Sequence, residues 1–123
     1  MPHILNVDHQ SRVVFSTYSG DVSDADVLAQ VNEIAALPIT SDYRELVDLT
    51  KVNQMELSPD VISQISALHG VFGKDSLRVI LLSDSSLVET ARFAQTFASL
   101  NNAAPFKIVF SRQEAAQLLK GGK

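Results

Sequence analysis

Two short segments of unbroken apolar residues, Val79–Leu82 and Ile108–Phe110, limit the folds open to this chain. A strand that faces solvent on one side alternates apolar and polar residues, whereas a strand buried on both faces of a parallel sheet does not. Stretches with the apolar periodicity of helices stand between and after these segments. Buried strands alternating with helices predict an α/β fold with a mainly parallel sheet.

The N-terminal part of the chain predicts a hairpin at the edge of that sheet. A strand at about Ile4–Asp8, a turn at His9–Ser11 and an alternating strand at about Arg12–Ser19 follow one another directly. We expect the first strand to pair antiparallel with the second, which makes a mixed five-stranded sheet. The remaining strands are predicted at Glu45–Leu49, Leu77–Ser83 and Phe106–Phe110.

Each of the four predicted helices begins at a serine, whose side chain accepts free N–H groups of a first helical turn. The first follows Ser23 and ends before Pro38, because the residue preceding a proline is driven out of helical geometry. The second follows Ser58 and is predicted to end at Gly70 and Gly73. Two capping boxes open the others, Ser86 with Glu89 before Leu87–Leu100 and Ser111 with Glu114 before Arg112–Lys120. The order is β-β-α-β-α-β-α-β-α, with residues 1–123 in one domain.

Charge and residue usage exclude several functional classes. The formal net charge is -4, which argues against a nucleic-acid partner, since such a protein needs a basic face. There is no cysteine, and His3, His9 and His69 lack the spacing of metal ligands, so we expect no metal and no cofactor. No signal peptide and no apolar run of about 20 residues is present, which predicts a cytoplasmic protein without integral membrane association.

The element order, together with Val47-Asp48-Leu49-Thr50, resembles the STAS domains, the anti-sigma-factor antagonists of the SpoIIAA type. The end of the hairpin, Tyr18–Val22, and the closing segment Val109–Ala116 are similar too, so the resemblance covers nearly the whole chain. It implies a SpoIIAA-like fold and a non-enzymatic regulatory module that acts through protein–protein interaction in bacterial signalling.

Ser58 is the candidate phosphosite that the resemblance implies. In the phosphorylated antagonists, the loop between the third strand and the second helix carries an Asp-Ser-Ser/Thr-Gly motif whose serine is modified by a partner kinase. The matching stretch here is Met55–Asp60, in which Ser58 has neither the preceding Asp nor the following Gly. The alternative is that Ser58 caps the helix that begins with Pro59, a role that needs no further function.

Polar residues at the ends of the third and fourth strands form a candidate ligand or anion loop. Ligands of open α/β sheets bind beyond the carboxyl ends of the strands, where the N–H groups of a following helix can hold an anion. The alternative is local capping, and for Asp48 a bond to backbone N–H groups of the following turn. The residues are Asp48, Thr50, Ser83, Asp84, Ser85 and Ser86.

The third helix carries two apolar stripes, although a helix that lies on one sheet needs only one. Small residues form the first stripe, and Phe93, Phe97 and Leu100 form the second. The second stripe either packs on a neighbouring helix or forms an exposed patch for a homodimer, a protein partner or an apolar ligand.

Two functional hypotheses follow from these residues, and neither is an enzyme, because no nucleophile, base and metal set converges in the sequence. The first is an interaction module that binds a protein partner or a second copy of itself. The alternative is a carrier or sensor of a small apolar, lipid-like ligand, which requires an enclosed apolar cavity of several hundred Å³ beneath the third helix.

Overall fold

The structure, a computed structural model, describes residues 3–66, 72, 76–100 and 105–121, without the side chains of residues 65, 66, 97 and 121. Within that part of the chain the sheet order is β1-β2-β3-β4-β5, with β1 antiparallel to β2 and all other neighbours parallel. The predicted mixed α/β sheet is therefore confirmed. The elements are β1 (His3–Asp8), β2 (Val13–Val22), α1 (Asp24–Ala35), β3 (Arg44–Met55), α2 (Pro59–Ser66), β4 (Arg78–Leu81), α3 (Val88–Leu100), β5 (Phe106–Val109) and α4 (Arg112–Gly121).

The two faces of the sheet are covered unequally. Apolar residues of α1, α2 and α3 pack on one face, around Ile80 of β4 and Leu82, which directly follows that strand. On the other face, Ala115 and Leu119 of α4 pack on Val79 and on residues of the adjacent strands. All four residues of β4 are buried. The unbroken apolar run that begins at Val79 predicts this for three of them, whereas the burial of Arg78 is not predicted from the sequence.

Strand β3 is longer than predicted, since it continues past Leu49 to Met55. Its second half pairs with the end of β2 through two register shifts, one between Thr17 and Ser19 and one between Gly20 and Asp21. Such bulges insert an extra residue and increase the local twist. This half of β3 contains mostly polar residues, so a search for apolar segments does not identify it as a strand.

The prediction that Ile108–Phe110 is buried on both faces is wrong. Strand β5 lies at the edge of the sheet and pairs only with β4 among the described strands. Its Lys107 is exposed, and Phe110, which follows the strand, is 51% exposed. An edge strand has a neighbour on one side only, so its end is not enclosed even though its sequence is apolar.

The serine caps are confirmed at three helices and wrong at one. Ser23 forms a full capping box with Asp26, and the hydroxyls of Ser58 and Ser111 each accept an N–H group of the first turn. Before α3, however, Asp84 caps a 3-10 turn over Ser85–Leu87, so the box of Ser86 with Glu89 does not form. His69, Gly70 and Gly73 lie outside the described residues.

Candidate functional site

A groove of about 500 Å³ opens between the end of β3, the start of α2 and the side of α3. Its lining includes Leu57, Ile62 and Phe93, and Ser58 belongs to it as well. The groove thus joins two regions that the sequence marks separately, the loop of Ser58 and the third helix. We call it the Phe93 groove.

Phe93 is the main exposed apolar residue of this groove. It is 57% exposed, and Leu100, on the same side of α3, is 75% exposed. The side chain of Phe97 lies outside the described residues. The opposite side of α3 consists of small residues buried against the sheet, Ala91, Ala94 and Ala98. Of the two alternatives for the second stripe, the exposure of Phe93 and Leu100 favours a patch open to a partner.

The surroundings of the Phe93 groove are acidic. Its charged lining residues are two exposed carboxylates, Glu56 and Glu89. A neighbouring depression of about 230 Å³ contains Glu56 together with Asp21, and Asp60 is exposed in the first turn of α2. Clustered charge of one sign attracts ligands of the opposite sign and steers their approach. The groove therefore favours an occupant that combines apolar and basic groups.

Ser58 acts as a helix cap in the structure. Its hydroxyl accepts the N–H of Val61 at 3.3 Å, and its own N–H donates to the Asp24 carboxylate at 2.9 Å. A phosphate on Ser58 would stand at the start of a helix, which favours negative charge, but close to the carboxylates of Asp24, Glu56 and Asp60, which oppose it. Phosphorylation of Ser58 stays a prediction.

Asp48 lies within β3 and not before a turn, contrary to the sequence expectation. Its carboxylate accepts the N–H and the hydroxyl of Thr50, at 2.9 and 2.6 Å, because the register shift at this point brings the two residues together. Arg112 of α4 adds an ion pair to Asp48 at 2.9 Å and a hydrogen bond to the Thr50 hydroxyl at 3.1 Å. Burial raises the pKa of Asp48, but the bonds from Thr50 and Arg112 outweigh it and leave the pKa below its usual value.

The loop of Ser83, Asp84, Ser85 and Ser86 is exposed at the same edge of the sheet. Asp48 pairs with Leu81, two residues before Ser83, so the strand register places the two halves of the candidate anion site near each other. The Asp84 carboxylate accepts the N–H of Ser86 at 2.8 Å, and hydrogen bonds from Ser86 lower the pKa of Asp84. That N–H is therefore already used within the loop, and Asp48 is engaged by Arg112.

A cavity of about 60 Å³ lies beneath α3, where the carrier hypothesis requires a ligand site. Thr90, Ala91 and Ala94 of α3 line one side of it. Most of the other walls are apolar, and the hydroxyl of Ser16 has no hydrogen-bond partner among the described residues. Its volume is far below the several hundred Å³ that are typical of sites for lipid-like ligands.

The same cavity borders a buried ion pair that the sequence analysis missed. Glu45 is the second residue of β3 and Arg78 is the first residue of β4. The two pair with each other in the sheet register and approach to 3.0 Å between Oε1 and Nε. Burial raises the pKa of the adjacent Tyr18, and the charge of Glu45 adds to the effect. The available signal is a pair of opposite charges near the starts of two neighbouring strands.

Comparison with known proteins bears on the fold. No protein-family model matches the sequence, and no curated protein matches it. No described helix is both long and apolar enough to cross a membrane. A solved structure from Shewanella loihica, of a DUF3478 family protein with a SpoIIAA-like fold, superposes with a TM-score of 0.62 at 16% identity, over 95% of this chain and 91% of that chain. The strand order, the helices and this superposition agree, and the chain has a SpoIIAA-like fold.

Proposed function

We propose that this chain is a non-enzymatic interaction module that binds a protein partner through the Phe93 groove. The observation that carries the proposal is an aromatic side chain, 57% exposed, inside a groove of about 500 Å³. Exposed apolar residues that line a concave surface mark interaction sites more often than isolated ones do. Aromatic residues in such positions also contribute more to binding than most other side chains. A role in bacterial signalling in the cytoplasm is part of this proposal.

The charge around the groove selects the kind of partner. Glu56 and Glu89 line it, so the fitting segment carries an apolar anchor for the surface around Phe93 with lysine or arginine beside it. A symmetric homodimer through the same surface places the carboxylates of both copies against each other, which like-charge repulsion disfavours. A different protein is therefore favoured over a second copy.

Substitution of Phe93 tests the proposal. Phe93→Asp keeps the fold, since the side chain is mostly exposed, and weakens a complex that uses the groove. The control is Ile4→Asp, because Ile4 is 54% exposed but belongs to β1 and does not line the groove. The partner is isolated from the native host on the tagged protein, identified by mass spectrometry, purified and titrated by calorimetry against all three proteins.

The expected result is a partner that binds the wild type and Ile4→Asp alike and binds Phe93→Asp at least about tenfold more weakly. Charge reversal at Glu56 and Glu89 should weaken the same complex and reduce its dependence on salt. A partner that binds Phe93→Asp as well as the wild type contradicts the proposal. So does a wild-type protein that sediments as a monomer and retains no partner.

Phosphorylation of Ser58 is a separate hypothesis about regulation of this groove, since Ser58 is part of its lining. Mass spectrometry of protein purified from its native host tests it directly. A phosphate at Ser58 would add negative charge to a groove whose charged residues are already acidic. It would therefore strengthen binding of a basic partner. Absence of the modification under all growth conditions removes the hypothesis.

A further inference from the structure

A second groove, on the opposite face of the sheet, is left open because α4 alone covers that face among the described helices. It has a volume of about 480 Å³ and runs between α4 and the strands β2 and β3. Phe15 and Leu46 of the strands form its floor and are only partly buried, and Leu119 of α4 forms one wall. We call it the α4 groove.

The charged residues that line the α4 groove are all cations, Arg44, Arg112 and Lys120, although the whole chain has a net charge of -4. Arg112 is partly neutralised by its ion pair with Asp48. Arg44 donates a hydrogen bond to the carbonyl oxygen of Ser11 at 2.8 Å. Within the described residues neither Arg44 nor Lys120 forms an ion pair, so both charges are available to an external carboxylate.

We propose that the α4 groove binds an acidic amphipathic helix of a partner protein, which lies beside α4 on the sheet. Arg112, whose side chain is 64% exposed despite its ion pair, and Lys120 are eight residues apart, so these two cations span about 12 Å along the helix axis. A docked helix with two carboxylates about eight residues apart can pair one with each of these cations. Its apolar side then packs on Phe15 and Leu46. The second helix would complete the layer that α4 begins on this face.

A second copy of this chain is a poor occupant of the α4 groove. A symmetric contact brings Arg44, Arg112 and Lys120 of one copy against the same residues of the other. A head-to-tail contact with the acidic Phe93 groove is attractive in charge, but two concave surfaces do not fill each other. The inference stands apart from the proposed function, because the two grooves lie on opposite faces of the sheet and share no lining residue.

The test uses a synthetic helical peptide of about 18 residues, long enough to be helical alone, with leucines on one side and glutamates on the other. A second peptide has lysine in place of every glutamate. Binding to the full chain is measured by fluorescence anisotropy at low and high salt. We expect the glutamate peptide to bind saturably, to weaken as salt rises and to exceed the lysine peptide by about tenfold or more.

Charge reversal decides whether this groove is the site. Arg44→Glu with Lys120→Glu should lose the glutamate peptide and gain the lysine peptide, and Lys120→Glu alone, at an exposed position, should shift the ratio in the same direction. Arg92→Glu, an exposed residue of α3, should leave both affinities unchanged. Circular dichroism verifies that each variant is folded.

Three results would overturn the inference. The first is equal binding of both peptides by the wild type. The second is an unchanged preference in the Lys120→Glu variant. The third is displacement of the glutamate peptide by vesicles of phosphatidylglycerol, which would make an anionic lipid surface the occupant.

Discussion

Removal of one partner of the buried ion pair between Glu45 and Arg78 should destabilise the protein strongly. The side chains are 3% and 2% exposed, and the Arg78 guanidinium lies 3.9 Å from the ring centre of Phe106 and 5.2 Å from that of Phe72. Burial lowers the pKa of Arg78, and the charge and hydrogen bond of Glu45 oppose that shift. Glu45→Ala leaves the guanidinium without this compensation in a site that water scarcely reaches.

The expected loss is about 3–5 kcal/mol, the usual range when one member of a buried pair is removed. A chain of this length has a total stability of roughly 6–18 kcal/mol, so the loss is a large fraction of it. Urea unfolding at pH 7 measures it. With a slope of about 2 kcal/mol per molar urea, the midpoint should fall by about 2 M.

Two control variants separate the pair from a general effect of substitution. Glu45→Leu with Arg78→Met replaces both charges by apolar groups, and its stability should lie within about 1 kcal/mol of the wild type or exceed it. Glu33→Ala breaks the more exposed contact with His3 at 3.0 Å and should cost less than about 1 kcal/mol. The reasoning is refuted if Glu45→Ala costs less than about 1 kcal/mol, or if the double variant is no more stable than Glu45→Ala.

Three further outcomes are expected from local geometry. Gly20 has φ +70°, with open space where a Cβ would stand. Gly20→Ala should therefore lower the free energy of unfolding by about 1–2 kcal/mol in urea through backbone strain alone. An unchanged free energy of unfolding would mean that the backbone relaxes. Ser23→Ala should cost about 1 kcal/mol in the same assay, because Ser23 caps α1. Ser86→Ala should change stability by less than about 0.5 kcal/mol, because Asp84 is the capping residue there. Equal losses of stability in the two variants would contradict this assignment. The pKa of Asp48 is lower in the folded protein than in the unfolded chain, where it is near 3.9. Ionised Asp48 therefore stabilises the fold at pH values above the unfolded pKa, and this contribution disappears as pH falls through the folded pKa. The stability difference between wild type and Asp48→Asn should therefore be present at pH 6 and shrink as pH falls below about 4, and a constant difference would refute it.

The sheet could be predicted because the sequence patterns that indicate its strands each lie within a few neighbouring residues. The unbroken run Val79–Leu82, the hairpin and the serine caps each depend on neighbours within a few residues, and together they specify strands, helices and the direction of pairing. The errors occur where the local pattern is ambiguous. Phe110 is apolar but follows an edge strand, and Ser86 competes with Asp84 for the same cap.

The candidate sites were less predictable, because their contacts join distant parts of the chain. Asp48 and Thr50 contact Arg112, which is more than 60 residues later in the chain. This contact depends on a register shift that cannot be read from the sequence. The Phe93 groove likewise needs the end of β3, whose length was underestimated. The exposure of Phe93 itself was one of two open alternatives, since periodicity places it on a side of the helix but does not say what covers that side.

The sheet order β1-β2-β3-β4-β5 equals the order of the strands along the chain, which matters for synthesis on a ribosome. Each strand after β1 pairs with the strand translated immediately before it, so assembly can advance in the direction of translation. Helix α4 then packs on the second face of the sheet. Until α4 is translated, Val79 and Leu81 stay uncovered on that face, and a ribosome paused before α4 would present a nascent chain that chaperones recognise.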